Sequence, residues 1–191
     1  MNIIKIDKNN MVNGVGLRTV IWCAGCNHHC KGCQNPETWS PDTGKAIGPW
    51  VYATLKSQLD RKEIRGVTFS GGEATFPLNR EDATSLMKWI KTNYPSKDIW
   101  VYTGYLYEEI KDLEMMQYID VLVDGPYIEE KNPGPSKLKW RGSSNQRVID
   151  IKETRRSGKV TWLRDFNGKY IFENEENYDA NEGLKLNICH D

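Results

Sequence analysis

Four of the five cysteines in this chain fall within one short stretch, at Cys23, Cys26, Cys30 and Cys33. Three of them follow the pattern C-x-x-x-C-x-x-C: Cys26, Cys30 and Cys33. Ferrous iron and sulfide are held by soft thiolates, and ordinary four-iron clusters use four of them. These spacings let a single loop wrap three corners of a small cube and leave one iron open. On this reading Cys26, Cys30 and Cys33 are at once the metal ligands of a [4Fe-4S] cluster and the catalytic residues. The amino and carboxylate groups of S-adenosylmethionine can chelate the open iron, which places the sulfonium beside the cluster. One electron from the reduced cluster can then break a carbon–sulfur bond, giving methionine and a 5′-deoxyadenosyl radical.

The same cysteines admit other chemistry. Cys23 with Cys26, and Cys30 with Cys33, are two C-x-x-C pairs that could form a four-cysteine zinc site. Structural zinc sites put a much longer segment between such pairs than the Asn27-His28-His29 found here. A thioredoxin-like dithiol should open a helix, whereas Asn35-Pro36 and further turn formers follow. Cys23 could close the cluster as a fourth ligand. It also ends a strand, where a buried thiol behaves as a small hydrophobe. His28 and His29 are ligand types as well as loop residues beside the cluster. Cys189 is isolated and has no assigned role.

Three further motifs leave the ends of short apolar runs. Ser70-Gly71-Gly72-Glu73 offers two glycines that let the backbone approach a ligand, and a carboxylate that could accept a hydrogen bond from an ammonium group. Thr103 and Asp124 could bind a ligand carboxylate or ribose, directly or through a cation; ordinary turn and cap chemistry is the other account. Trp140 to Arg147 has an aromatic and two arginines among small polar residues, which suits either a docking surface or a surface loop.

The elements that must position these residues are legible as alternating patterns. Arg18–Trp22, Gly66–Phe69, Asp98–Tyr102 and Val121–Asp124 read as buried strands. Pro49 opens a helix whose Val51, Leu55 and Leu59 share a face. Asn79 is the expected cap of a second helix with Glu81 and Asp82 in its first turn, an Ala83, Leu86, Met87, Ile90 stripe, and a stop at Tyr94-Pro95. Leu106, Ile110 and Leu113 mark a third helix. Strands alternating with amphipathic helices predict an α/β fold with a parallel sheet. Four units are too few for a closed eight-stranded barrel, so an open, partial barrel is expected, with ligands at the carboxyl ends of its strands. The cysteine loop, Gly71-Gly72-Glu73, Thr103-Gly104 and Asp124-Gly125 all fall at those ends. Residues 127–147 read as irregular. Lys159–Leu163 and Lys169–Glu173 flank Asn167-Gly168, a hairpin signal, and from Glu173 to Glu182 the charges are all acidic.

Composition excludes several classes. The 26 basic and 26 acidic side chains cancel, which speaks against a nucleic-acid or membrane surface. No apolar run approaches a membrane span, and Met1-Asn2-Ile3-Ile4-Lys5 lacks a signal-peptide core, so a cytoplasmic location is expected. Clustered cysteines there point to metal or redox chemistry rather than disulfides.

Assembled, these residues resemble the radical S-adenosylmethionine enzymes. More narrowly they resemble the activating proteins of the anaerobic ribonucleoside-triphosphate reductase. The resemblance runs from about Lys5 to Val148. It includes Val12-Asn13-Gly14 with Gly16 and Arg18, Gly25-Cys26 to Cys33, Asn35 with Thr38-Trp39, and Ser70-Gly71-Gly72. It continues through Asp98-Ile99-Trp100-Val101, Thr103-Gly104-Tyr105, Val121 to Gly125 and Trp140 to Gln146.

The resemblance implies that the adenosyl radical takes hydrogen from a glycine α-carbon of the reductase and leaves a stored glycyl radical. It implies cofactor-binding positions at Gly32, Cys33, Gln34, Gly71, Gly72, Glu73, Thr103 and Asp124. The partners it implies are the reductase, a one-electron donor such as a flavodoxin and, as an assembly it allows, a homodimer. It divides the chain into a radical S-adenosylmethionine domain at 1–148 and an extension at 149–191 with the hairpin and acidic tail. Ala74 and Gln34 depart from the family pattern, where proline and an aromatic or histidine are common. Competing activities are radical chemistry on another glycyl-radical enzyme or a small molecule, and a non-enzymatic metal-binding module.

Overall fold

A computed structural model describes residues 1–134 and 138–164. Its centre is one open, seven-stranded sheet in the order β3-β1-β2-β4-β5-β6-β7. The strands are β1 (Asn2–Asn10), β2 (Leu17–Cys23), β3 (Lys45–Ala46), β4 (Ile64–Gly71), β5 (Asp98–Tyr102), β6 (Val121–Asp124) and β7 (Arg147–Asp150). The four strands legible from sequence, β2, β4, β5 and β6, are adjacent and parallel. Their carboxyl ends therefore lie on one edge. β1, β3 and β7 pair antiparallel with their neighbours. The sheet does not close into a barrel.

Helices α1 (Pro49–Leu59) and α2 (Arg80–Asn93) link the first parallel strands. Their stripes, Val51, Leu55 and Leu59 with Ala83, Leu86, Met87 and Ile90, are buried in one core with Ile21, Val67, Phe69, Ile99, Val101 and Leu122 of the sheet. A second cluster holds Trp100, Val121, Val123 and Val148, with Val15, Trp140, Trp162 and Leu163 packed against it. Residues 100, 121 and 123 alternate with those of the first cluster along β5 and β6. The two clusters thus occupy opposite faces, one covered by helices and the other by loops. Among the described residues no helix is long and apolar enough to cross a membrane.

Several elements differ from the sequence reading. β1 is rich in Asn, Lys and Asp and buries only Ile3; antiparallel pairing with β2, with two register shifts, makes it a strand. The third helix is a single turn, α3 (Tyr107–Ile110), and a 3-10 turn at Glu114–Gln117 follows after Leu113 turns extended. The stretch read as irregular ends in β7, which leads into α4 (Ile151–Ser157). Asp150 caps α4 by accepting the Glu153 amide, and Gly158 ends it at φ 72°. Thr161 to Leu163, the expected first arm of the hairpin, lies beside β7, with Trp162 bridging Ile149. The turn, the second arm and the acidic stretch lie outside the described residues.

Candidate active site

The cysteine loop leaves the end of β2 and is gripped at once by backbone from distant segments. Ala24 donates to Asn2 O (3.0 Å), Gly25 to Thr38 O (2.8 Å) and Cys26 to Trp39 O (3.0 Å). From the other side Gly72 donates to Cys23 O and Glu73 to Gly25 O, both at 2.9 Å. The cysteine loop and the Gly-Gly-Glu turn are therefore zipped together. Gly72 explains the closeness: a Cβ there would stand 2.8 Å from the carbonyl oxygens of both Cys23 and Gly25. Gly71, at φ 89°, makes the turn that only glycine takes without strain. Asn79 begins α2 as expected, but its side chain makes no cap. It donates instead to Ala24 O (2.8 Å) and Glu73 O (2.9 Å), fastening both loops to the helix.

Glu73 is the hub of the site. Its carboxylate is buried, and donors from three segments converge on it. Oε1 accepts from the Thr75 amide (2.9 Å) and hydroxyl (2.7 Å). Oε2 accepts from Thr103 Oγ1 (3.0 Å) and the Gly104 amide (2.8 Å), and lies 3.0 Å from His28 Nε2. His28 belongs to the cysteine loop, so Glu73 ties that loop to the end of β5. The same junction is reinforced by His28 packing edge-on against Tyr105 (4.5 Å) and by Asn27 exchanging hydrogen bonds with the Tyr105 hydroxyl. Gly104 is required here because a Cβ would meet the His28 ring at 2.5 Å. The structure thus brings together Gly71, Gly72, Glu73, Thr103 and the cysteine loop.

Asp124 is placed differently. It is buried and both oxygens are engaged: Oδ1 by Arg147 Nε (2.9 Å), Oδ2 by the Tyr107 amide (2.7 Å) and by the Arg147 guanidinium. Arg147 also forks onto Glu108 (3.1 and 2.8 Å). Burial works against the Arg147 charge, yet the two carboxylates outweigh it and push its pKa up. Asp124 therefore joins β6 to β7 and to the start of α3. Gln34 is exposed, and Gly32 sits in the exposed turn at φ 68° with the Glu129 side chain directly over it.

Trp140 to Arg147 is packed against other parts of the chain. Trp140 packs edge-on against Trp100 (5.3 Å) and Arg141 lies over Trp162 (5.9 Å). Ser143, Gln146 and Arg147 are buried. Sequence reasoning missed Thr75, Asn79 and Arg147 as parts of this architecture. Tyr105 was signalled by its motif, and His28 only by its place between the cysteines.

The cysteines divide by burial. Cys23 is fully buried in the helix-side core, and burial pushes its thiol up to about 12, which suits a packed, neutral side chain. Cys26, Cys30 and Cys33 are half-buried on the loop. Burial raises Cys26 to about 11, against the pull of the His28 and His29 amides, and raises Cys30, against the pull of the Tyr127 amide. The Asn35 amide donates to Cys33 Sγ at 3.4 Å. Amides aimed at thiolate sulfurs are what an iron–sulfur cluster uses to tune its charge, so these residues fit such a group. Among the described residues no three His, Cys, Asp or Glu side chains surround one ion position. Ligands that each take a different iron need not converge.

Comparison with known proteins agrees with this geometry. Residues 12–149 match the family described as "4Fe-4S single cluster domain". An anaerobic ribonucleoside-triphosphate reductase-activating protein of Enterobacteria phage T4 is 45% identical over 148 residues, covering 78% of this chain and 93% of the relative. The chain belongs to the anaerobic ribonucleoside-triphosphate reductase-activating protein family. Like-named proteins of Vibrio cholerae (42% identical, 72% of this chain and 90% of the relative) and Escherichia coli K12 (37%, 75% and 94%) extend the match. The span matched by the family model, residues 12–149, contains the three loop cysteines, the Glu73 hub and the Asp124–Arg147 pair of this activating-protein family member. About a fifth of the chain lies outside the alignment to the phage relative.

Proposed function

We propose that this chain activates an anaerobic ribonucleoside-triphosphate reductase by generating a glycyl radical, with Cys26, Cys30 and Cys33 holding a [4Fe-4S] cluster that binds S-adenosylmethionine. When bound, that pair supplies the one-electron cleavage of a carbon–sulfur bond and a 5′-deoxyadenosyl radical that takes one hydrogen atom from the glycine α-carbon. The observation that carries the reading is the zipper between the cysteine loop and the Gly71-Gly72-Glu73 turn, at the carboxyl edge of the parallel strands, in a chain of this family.

The chain's own residues hold and orient. Gly71 and Gly72 leave the backbone bare beside the loop. Glu73 is the acceptor we assign to the ammonium group of S-adenosylmethionine, with Thr75, Thr103 and Gly104 fixing its carboxylate in place. Thr103 stands between Glu73 and the Thr75 hydroxyl (3.1 Å), within reach of the same ligand. We assign the four parallel strands to a partial barrel of the radical S-adenosylmethionine type. Its open side admits a glycine carried on a polypeptide.

The test is anaerobic reconstitution with iron and sulfide, followed by incubation with S-adenosylmethionine, a one-electron donor and the reductase. A glycyl radical signal by electron paramagnetic resonance and one 5′-deoxyadenosine per radical are expected. Accumulation of 5′-deoxyadenosine without that signal assigns the chain another substrate. A colourless, zinc-binding protein that leaves S-adenosylmethionine intact overturns the enzyme reading.

A further inference from the structure

The motif Gly142-Ser143-Ser144-Asn145-Gln146 is bonded within itself and to residues 125–132. Gln146 Oε1 accepts the amides of Gly142 (2.8 Å) and Ser143 (3.2 Å), and its Nε2 donates to Gly125 O (3.0 Å). Ser143 Oγ accepts the Ile128 amide (3.2 Å), Ser144 N donates to Lys131 O (2.9 Å), and Asn145 Nδ2 donates to Pro126 O (2.8 Å). Gly142 lies against the Tyr127 ring, where a Cβ would come within 3.0 Å. So many specific bonds fix the 125–132 arm in one place.

That place is over the cysteine loop. Glu129 covers Gly32, and Lys31, between Cys30 and Gly32, bridges to Glu129 (3.6 Å) and Glu130 (3.0 Å). The Lys31 pairs are exposed, and weak on their own. What gives the contact its geometry is the buried Gln146 and Ser143 behind it.

We propose that Gln146 and Ser143 are positioning residues for the cluster loop: by pinning the 125–132 arm, they hold the Glu129 side chain against the Cys30–Gly32 turn. The inference rests on the assignment of the loop cysteines as cluster ligands. It gives the Trp140–Gln146 segment a role toward the cluster rather than toward a docking partner. Outer-shell contacts of this kind set cluster stability and reduction potential.

The experiment compares reconstituted wild type, Gln146→Ala, Ser143→Ala, Glu129→Ala and Gln146→Ala/Glu129→Ala. The readouts are the rate of iron transfer to a chelator and the midpoint potential of the cluster by electron paramagnetic resonance. Gln146→Ala should release iron about tenfold faster, the scale of outer-shell losses. Its potential should shift as well, because the Glu129 carboxylate over Gly32 loses its fixed place. Ser143→Ala deletes one hydroxyl and should accelerate release about fivefold, the worth of one hydrogen bond; it decides the matter should Gln146→Ala not fold. The double variant should match Gln146→Ala alone, since Gln146 acts through the arm that carries Glu129. Wild-type release rates and potentials in both Gln146→Ala and Ser143→Ala overturn the proposal. So does a double variant whose two effects multiply independently. A wild-type chain that takes up no iron and sulfide overturns the cluster assignment first, and this inference with it.

Discussion

Replacing Arg147 by methionine separates a structural from a ligand-binding role for Asp124. The two side chains are almost wholly inaccessible, at 6% and 0% exposure. Arg147→Met removes both guanidinium contacts and leaves the Asp124 carboxylate with the Tyr107 amide at 2.7 Å. Breaking a buried pair in this way costs about 3–5 kcal/mol, a large part of the roughly 5–15 kcal/mol that stabilises a domain. In a chain of this size the melting temperature should fall by about 6–20 °C. Asp124→Asn alone should cost less, about 1–3 kcal/mol, because the amide oxygen can keep the Tyr107 bond and Arg147 keeps Glu108. The double variant Asp124→Asn/Arg147→Met carries no buried charge and should recover to within about 1–2 kcal/mol of wild type. Urea denaturation of the four proteins measures the coupling, and S-adenosylmethionine cleavage by each measures function. A double variant that is stable yet unable to cleave S-adenosylmethionine would make Asp124 a ligand. A cost for Arg147→Met below about 1 kcal/mol would refute the reasoning about the pair.

Cys26→Ala, Cys30→Ala and Cys33→Ala should each abolish a productive cluster, whereas Cys23→Ala should lose only about 1 kcal/mol of stability and keep the paramagnetic spectrum of the reduced cluster; a changed spectrum would make Cys23 a ligand. Gly104→Ala forces the His28 ring away from Glu73, so cleavage should fall about tenfold, and adding His28→Ala should cause no further loss. Further loss in that double variant would show that the alanine acts elsewhere. At Glu108 burial works against the charge, but the hydrogen bonds from Arg147 prevail and hold the carboxyl below its ordinary 4.5. A lowered folded-state pKa gives stability that is complete above the unfolded value and is lost as pH falls through the folded-state pKa. Glu108→Gln should therefore cost stability at about pH 6 and progressively less as pH falls below 4.5, and a cost that does not change with pH would exclude the ionic origin.

The four parallel strands were legible because both their faces are buried: Val20-Ile21, Val67-Thr68-Phe69, Ile99-Trp100-Val101 and Val121 to Val123 are continuous buried runs. β1 was not, because its Lys, Asp and Asn residues carry no strand pattern and the partner β2 confers the conformation. The caps of α4 stood in the sequence as Asp150 and Gly158, but a seven-residue helix gives too short a stripe to find. At the site, residue types were readable and partnerships were not. Glu73 could be picked out from the glycines before it, yet its donors come from the cysteine loop, from Thr75 and from the end of β5, brought together only by the sheet. Asn79 followed the local cap rule in position, while the tertiary structure took its side chain. Asp124 was readable as a strand-end carboxylate, but its pairing with Arg147 on the neighbouring strand was not.

The zipper between the cysteine loop and the Gly-Gly-Glu turn also orders the assembly of the protein. The backbone bonds that grip Ala24, Gly25 and Cys26 come from Asn2, Thr38, Trp39 and Glu73, so the start of the loop takes its conformation from outside itself. The sheet must form through β4 before the three thiols are presented together. Iron insertion is then a late event on a finished scaffold, unlike a zinc finger, where the metal organises the chain. The metal-free protein should accordingly unfold in one cooperative urea transition, with far-ultraviolet circular dichroism like that of the loaded form. A metal-free chain without cooperative unfolding would reverse that order.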